Sequence, residues 1–412
     1  MREAWIIDAC RTPRGIGKKD KGALANMHPH HLGSTVLKAI ASRNKLDTAD
    51  VDDVIWGTST QQGQQSRNIG RMSALDAGYD VRSSGVTLDR LCGSGITATQ
   101  FAAASIIAGL GELVVAGGTE MMSNMTSGDN AESLLLDNGN LRLRNSVPMS
   151  HPGVCADAVA TLEGICRNDV DQLAFISQER AAHAIRQGYF DRSLIPVYKE
   201  DGSLALGAEE FPRPQTRLDD LAKLQPSFKA LADYPLGEGG LTLRKLILKK
   251  YPSLDIDFIH HAGNSSGVVD GAAAILLASS EFASAHGLKP RARILAMANM
   301  GDCPTLMLNA PVPAAKKVLD MAGLTVNDID LFEINEAFAV VTEKFIRDLN
   351  LDRGKVNVNG GAIALGHPIG ATGAILIGTV LDELERRDLH RGLVTMCAAG
   401  GMAPAIIIER ID

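Results

Sequence analysis

Two cysteines, a histidine and an asparagine stand in glycine-rich stretches of this chain. Cys92 lies in Asp89-Arg90-Leu91-Cys92-Gly93-Ser94-Gly95-Ile96-Thr97-Ala98, between an apolar approach (Gly85-Val86-Thr87-Leu88) and a run of small residues, Ala98 to Ala108, that reads as a helix. At a strand-to-helix turn, unpaired backbone N–H groups carry partial positive charge, so the Cys92 sulfur is expected to favour thiolate. Gly93 and Gly95 remove side chains where the backbone must come close to something or take unusual dihedrals. Alone, this stretch reads more readily as a buried structural cysteine, since free Cys is among the most buried residue types. The second half of the chain changes the balance with Asn335-Glu336-Ala337-Phe338, Gly366-His367-Pro368-Ile369-Gly370 and Cys397-Ala398-Ala399-Gly400-Gly401. Singly, Asn335 reads as a helix cap, His367-Pro368 as a turn, and Cys397 as a buried spacer like Cys10, Cys155, Cys166 and Cys303. Together they place a cysteine, an asparagine, a histidine and another cysteine on strand-following loops, a combination that suits nucleophilic catalysis with proton transfer.

The elements that must position these residues alternate between strand and helix. Strands are expected at Trp5–Ala9, Asp53–Gly57, Val86–Leu88 and Leu113–Gly118. Helices are expected at His31–Ser42, Asn68–Ala77 and Ile96–Gly109. This rhythm implies a parallel sheet covered by helices on both faces. From Ser123 to Gly267 it gives way to Met, Asn, Asp and Gly clusters with short helices, Val170–Gln187 among them, and reads as an inserted, mostly irregular binding domain. Its basic segment Arg244–Lys250 reads first as a solvated amphipathic helix and second as a phosphate contact. The alternation resumes at Asp270–Ala278, and a second copy of the first half begins near Ala292. Leu46–Trp56 and Gly323–Glu333 carry the same phrase, and Gly360–Gly373 followed by a helix over Ala374–Arg387 answers the Cys92 turn and its helix. Two similar halves then pack together, with a shared site at the carboxyl ends of their strands.

A chain of 412 residues is long enough to bury a large core. Its 45% hydrophobic and 22% charged residues argue against disorder. The net charge of −7 gives no nucleic-acid footprint. No cysteine spacing suits a metal, and none is expected. The opening Ala4-Trp5-Ile6-Ile7-Asp8 reads as a strand with no leader, and the apolar runs are broken short of a membrane span. A reducing, cytoplasmic setting without disulfides is therefore expected.

At these residues the chain resembles the thiolases, the acetyl-CoA acyltransferase family, over essentially its whole length. The resemblance rests on Leu91–Gly95, Gly117–Ser123, Ala262–Gly267, Asn335–Ala339, Gly361 with Gly366–Gly370, and Cys397 with Gly400–Met402. It implies an α/β fold of duplicated βαβαβαββ halves (1–122 plus 268–290, and 291–412) in a five-layered α-β-α-β-α core. Residues 123–267 form the inserted loop domain for coenzyme A and substrate. It also implies a CoA-dependent 3-ketoacyl-CoA thiolase or acetyl-CoA C-acetyltransferase, of β-oxidation or of biosynthesis, working through an acyl-Cys92 intermediate. His367 is then the base that takes the Cys92 proton. Cys397 is the acid/base at the α-carbon of acetyl-CoA, and a soft thiolate suits thioester exchange. The oxyanions fall to His367 with a water held by Asn335, and to the backbone N–H groups of Cys92 and Ala399. His151, Arg213, Phe228, Ala262, Ser266 and Phe338 match positions along the coenzyme A path. Coenzyme A enters as substrate and product, with no further cofactor. The partners the resemblance implies are acyl-CoA and CoA, a second copy or more in a homodimer or homotetramer, and a partner subunit of a β-oxidation complex.

This sequence departs from the pattern at Ala399, where many relatives have Gly, at Pro152, where Met is frequent, and in a longer segment from Lys229 to His260. The alternatives are a ketoacyl-synthase-type condensing enzyme, a non-catalytic acyl-binding thiolase-like protein and a cysteine hydrolase. Cys397 counts against the first and last, and the complete set of four residues against the second.

Overall fold

The computed structural model describes residues 2–125, 135–237 and 239–411. Strands β1 (Ala4–Arg11), β2 (Gly15–Ile16), β3 (Asp53–Gly57), β4 (Ser84–Leu88) and β5 (Leu113–Met121) come first. An excursion follows that contains a small hairpin, β6 (Val197–Tyr198) with β7 (Leu204–Leu206). β8 (Val269–Ser279), β9 (Ala292–Gly301), β10 (Leu331–Ile334), β11 (Arg391–Thr395) and β12 (Met402–Arg410) complete the set.

The first half runs β4-β3-β5-β8-β1 and the second β9-β12-β11-β10, with β2 on β8. The halves join where Trp5 and Ile6 of β1 pair with Arg293 and Ala292 of β9. The duplication is exact enough to match strand by strand: β3 is parallel to β5 as β10 is to β11. Beyond the edge, β3 pairs with β4, and Phe332 of β10 pairs in parallel with Val356.

The sheet is mixed, where the alternation implied a parallel one. β8 lies antiparallel to β5 and β1, and β12 antiparallel to β11 and β9. The turn from Met396 to Gly401 that joins β11 to β12 is too short for the helical crossover a parallel neighbour requires.

Five layers follow from the period-2 alternation of the strands. On β8, Ala273, Ile275 and Leu277 face the middle of the molecule, while Ala272, Ala274, Leu276 and Ala278 face outward. On β12, Ile406 and Ile408 face the middle, while Ala405 and Ile407 face outward. The middle layer is a pair of packed helices, Ser94–Ala108 and Ile369–Arg386. Helices Pro29–Asn44 and Ile69–Asp76 cover one outer face, Pro311–Ala322 and Ala339–Leu349 the other. The stretch Leu91–Ala108 has the length and hydropathy of a membrane span, but 61% of it is buried inside the protein. The second central helix starts at Ile369 rather than Ala374, directly after Pro368, whose fixed φ suits a helix entrance.

Between β5 and β8 the chain is more regular than its sequence texture suggests. Helices Pro152–Glu163 and Arg167–Arg186 pack on Ala339–Leu349. Glu209 ties the excursion to the end of β1 and the link to β2 through buried ion pairs with Arg11 (2.6 Å) and Arg14 (2.7 Å). In the basic segment Arg244 pairs with Asp233 and lies over the Phe258 ring, and Lys249 donates to Asn145 Oδ1.

Candidate active site

Cys92 sits on a strained turn. Leu91, just before it, has φ 53°, a left-handed backbone unusual for a branched residue. Asp89 Oδ1 accepts from the Leu91 N–H (2.6 Å), and Ser94 Oγ accepts from the Arg90 N–H (2.9 Å) while donating to the Leu91 carbonyl (2.7 Å). The backbone N–H groups of Cys92 and Ala399 act on the Cys92 sulfur and favour its thiolate.

These donors do not make a resting thiolate. Burial, then the charge of Glu120, push the Cys92 thiol up to about 12, and the two N–H groups only oppose that rise. The thiolate expected from the helix N-terminus is therefore corrected. Desolvation outweighs the partial charge of a helix end.

His367 is equally poised in its neutral form, since burial lowers it to about 4. Its Nδ1 lies 2.6 Å from Thr372 Oγ1, and Thr372 Oγ1 donates to the Pro368 carbonyl at 2.9 Å. The hydroxyl has one proton and spends it on Pro368, so it accepts from Nδ1–H. Nε2 is left with its lone pair, and Asn335 Nδ2 approaches that nitrogen at 3.4 Å. Asn335 caps no helix; it follows β10 directly, and the next helix begins at Ala339. Its Oδ1 is buried and finds no hydrogen-bond partner among the described residues.

Cys397 follows β11, the parallel neighbour of β10. Burial and the nearby Cys92 push its thiol far above the ordinary range, which places the two sulfurs in one environment. The turn after it closes by paired bonds between Ala398 and Met402 (2.7 and 3.0 Å). Gly400 and Gly401 carry its positive φ angles, 80° and 78°. Ala399 is not among the positive-φ residues, so the methyl group there meets the backbone without strain.

Glu120 was quoted only as part of the Gly117–Ser123 motif, yet it joins the two halves. Its carboxylate accepts from the N–H groups of Ser59 (2.9 Å), Thr60 (3.0 Å) and Gly370 (2.8 Å). The contact is close: a Cβ on Gly118 would stand 2.1 Å from the Gly370 carbonyl oxygen. Thr372 was also missed, since a threonine in a run of small residues carries no signal until the helix places it under His367.

The residues matched to the coenzyme A path fall into two groups. Arg213 and Ala262 line a cavity of about 210 Å³ with Phe211, Gln178 and Leu224. His151, Phe228 and Phe338 form a chain of ring contacts, with centroids 5.7 Å and 5.8 Å apart. His151 also caps helix Pro152–Glu163, its Nδ1 accepting from the Gly153 N–H, and burial lowers it to about 4. Ser266 is held beside Phe338 by its N–H on the Ala337 carbonyl (3.0 Å). His260, not picked out from sequence, extends the ring chain from Phe338 (5.8 Å) and is fixed by Asp157 at 2.7 Å.

Comparison with known proteins gives a consistent picture. The family model described as thiolase, N-terminal domain, matches residues 4–232, and that described as thiolase, C-terminal domain, matches residues 288–410. The chain is 39% identical to a beta-ketoadipyl-CoA thiolase of Acinetobacter baylyi, covering 100% of both. It is also 39% identical to the steroid 3-ketoacyl-CoA thiolase FadA6 of Mycobacterium tuberculosis, covering 100% of this chain and 95% of that one. The crystal structure of the Bacillus anthracis acetyl-CoA acetyltransferase is similar, with a TM-score of 0.84, 34% identity, and coverage of 100% and 99%.

Proposed function

The chain belongs to the thiolase family, and from that premise we propose that it cleaves 3-ketoacyl-CoA with coenzyme A, and runs the reverse condensation, by a ping-pong route through an acyl group on Cys92. The observation that carries this reading is the pairing of a neutral thiol with an imidazole whose Nε2 keeps its lone pair, met only by the long 3.4 Å approach of Asn335 Nδ2, and so can take a proton.

In thiolysis the Cys92 proton passes to His367 Nε2 as the sulfur attacks the 3-keto carbon. The oxyanion that forms falls to the backbone N–H groups of Cys92 and Ala399, the two that favour negative charge at the sulfur. The bond between the second and third carbons breaks, and Cys397 delivers the proton that turns the departing carbanion into acetyl-CoA. Its thiol is strongly disposed to hold a proton, as this step needs. Coenzyme A then attacks the acyl-Cys92 thioester as its thiol proton passes to the Cys397 thiolate, and the departing Cys92 sulfur takes its proton back from His367, one thiolate replacing another of similar leaving ability. The buried, unpartnered Asn335 Oδ1 supports a polar group, such as a water, held beside His367 Nε2.

For the acyl chain we propose 3-oxoadipyl-CoA, one of the two substrates, with 3-oxo-5,6-dehydrosuberyl-CoA, named for a 40% identical relative of Escherichia coli strain K12 that the chain covers completely. A ring-bearing 3-ketoacyl-CoA is the second reading, from the equally similar steroid enzyme. We further propose a homo-oligomer formed along the open edge of β4, where Val86 is 43% exposed; sedimentation as a monomer would refute it.

The test is CoA-dependent loss of 3-ketoacyl-CoA absorbance for 3-oxoadipyl, acetoacetyl, long-chain and steroid-side-chain substrates. Turnover that needs CoA and is fastest with 3-oxoadipyl-CoA is expected. Absence of CoA dependence overturns the thiolase reading, and preference for another chain overturns only the substrate.

A further inference from the structure

Cys303 stands outside the machinery above, in the segment after β9. Its sulfur lies 3.2 Å from Lys250 Nζ and 3.6 Å from the Tyr251 hydroxyl. Lys250 is exposed, while Cys303 and Tyr251 are half-buried, so the cluster is open to solvent solutes. A cation and a hydroxyl converging on an accessible sulfur are what lower a thiol toward thiolate. Burial opposes that effect, but the Tyr251 hydroxyl, then the Leu306 N–H, Lys250 and the Thr305 N–H prevail, and the Cys303 thiol lies below its ordinary value. The charged groups of the neighbourhood are Lys250 and Asp302, whose carboxylate accepts from the Cys303 N–H.

We propose that Cys303 is a modification site: a reactive sulfur, held by Tyr251 and Lys250, that takes peroxides and soft electrophiles. With hydrogen peroxide the Cys303 sulfur attacks one peroxide oxygen. The S–O bond forms as the O–O bond breaks, and the departing hydroxide takes a proton from the Lys250 ammonium and leaves as water. The sulfur is oxidised to sulfenic acid, the peroxide is reduced, and Lys250 regains its proton from solvent. The site lies behind the Cys397 turn. The Asp302 N–H donates to the Gly401 carbonyl at 2.7 Å, and a Cβ on Gly401 would stand 2.9 Å from the Cys303 carbonyl carbon.

The experiment treats the full chain with hydrogen peroxide, traps sulfenic acid with dimedone and follows each cysteine peptide by mass spectrometry. Cys166 is the internal control, being more exposed than Cys303. Cys303 is expected to be trapped faster than Cys166. Lys250→Met is expected to slow Cys303 roughly tenfold, as its thiolate fraction falls, and Lys250→Arg is expected to preserve most of the rate. Equal trapping at Cys303 and Cys166, or a Lys250→Met rate unchanged at Cys303, overturns the proposal. Since Lys250 is exposed, these variants are expected to fold, and continued protection of the buried Cys10 and Cys155 from trapping verifies it.

Discussion

Thr372 Oγ1 lies 2.6 Å from His367 Nδ1 and turns its own proton toward Pro368, four residues back on the same helix entrance. That single hydroxyl decides which imidazole nitrogen is the base. Thr372→Val keeps the shape but removes the acceptor for Nδ1–H, so the wrong tautomer becomes populated. A fall in kcat on the order of 10- to 100-fold is expected, with the KM for CoA little changed. Steady-state kinetics with both substrates varied checks this split; Thr372→Ser should recover most of the loss.

The resting site is a neutral pair, so its pH profile departs from that of a thiolate–imidazolium enzyme. His367 is held down at about 4 and Cys92 is held up at about 12. His367 therefore stays an unprotonated base through the range where an ordinary histidine becomes charged, and it is lost only as pH falls toward 4. The acid limb of kcat/KM should lie well below the ordinary histidine value. Iodoacetamide should alkylate Cys92 slowly at neutral pH without substrate. An acid limb near the unperturbed histidine value, about 6.5, would contradict this assignment.

Cys397 is placed for the second half-reaction. Cys397→Ala should still become acetylated on Cys92 when exposed to acetyl-CoA, seen as a peptide mass shift, yet lose condensation and thiolysis by on the order of 10²-fold or more. Unimpaired turnover would remove Cys397 from the mechanism.

The ring chain depends on one missing side chain. A Cβ on Gly153 would lie 2.4 Å from the Phe228 ring, which touches both His151 and Phe338. Gly153→Ala should displace that ring and raise the KM for CoA several-fold while leaving Cys92 acylation chemistry intact, measured as KM against the single-turnover rate.

Glu209 gives a stability prediction with a definite sign. Burial alone would raise its carboxyl, but Arg11 and Arg14 hold it down at about 2. Its folded value is below its unfolded one, so its stabilisation is complete above the ordinary carboxylate range and is lost as pH falls toward 2. Glu209→Gln leaves two buried guanidiniums uncompensated and should cost about 3 kcal/mol at neutral pH. The gap in denaturant midpoint from the parent should narrow in acid.

The doubled architecture was legible because it repeats in the residues themselves: Leu46–Trp56 and Gly323–Glu333 each become a 3₁₀ turn running into a strand, β3 and β10. The Cys92, Asn335, His367 and Cys397 turns were legible because reactive types stood among glycines. Strand direction was not, since periodicity reports which face is buried and not which neighbour is paired. The protonation of Cys92 was misjudged for a related reason. A helix terminus is local and visible in sequence, whereas desolvation and the charge of Glu120 depend on chain segments far away. Thr372 and His260 escaped notice because their roles are purely spatial.

The ladder that begins the chain has a consequence for how the protein is made. Ala4 pairs with Ser279, and Trp5 with Arg293, so β1 leaves the ribosome with both flanking partners still unsynthesised. Such distant pairing makes assembly slow and leaves an apolar strand without cover in the nascent chain. Translation pauses before residue 279, or truncation there, should thus yield aggregates and chaperone clients rather than a free-standing amino-terminal half.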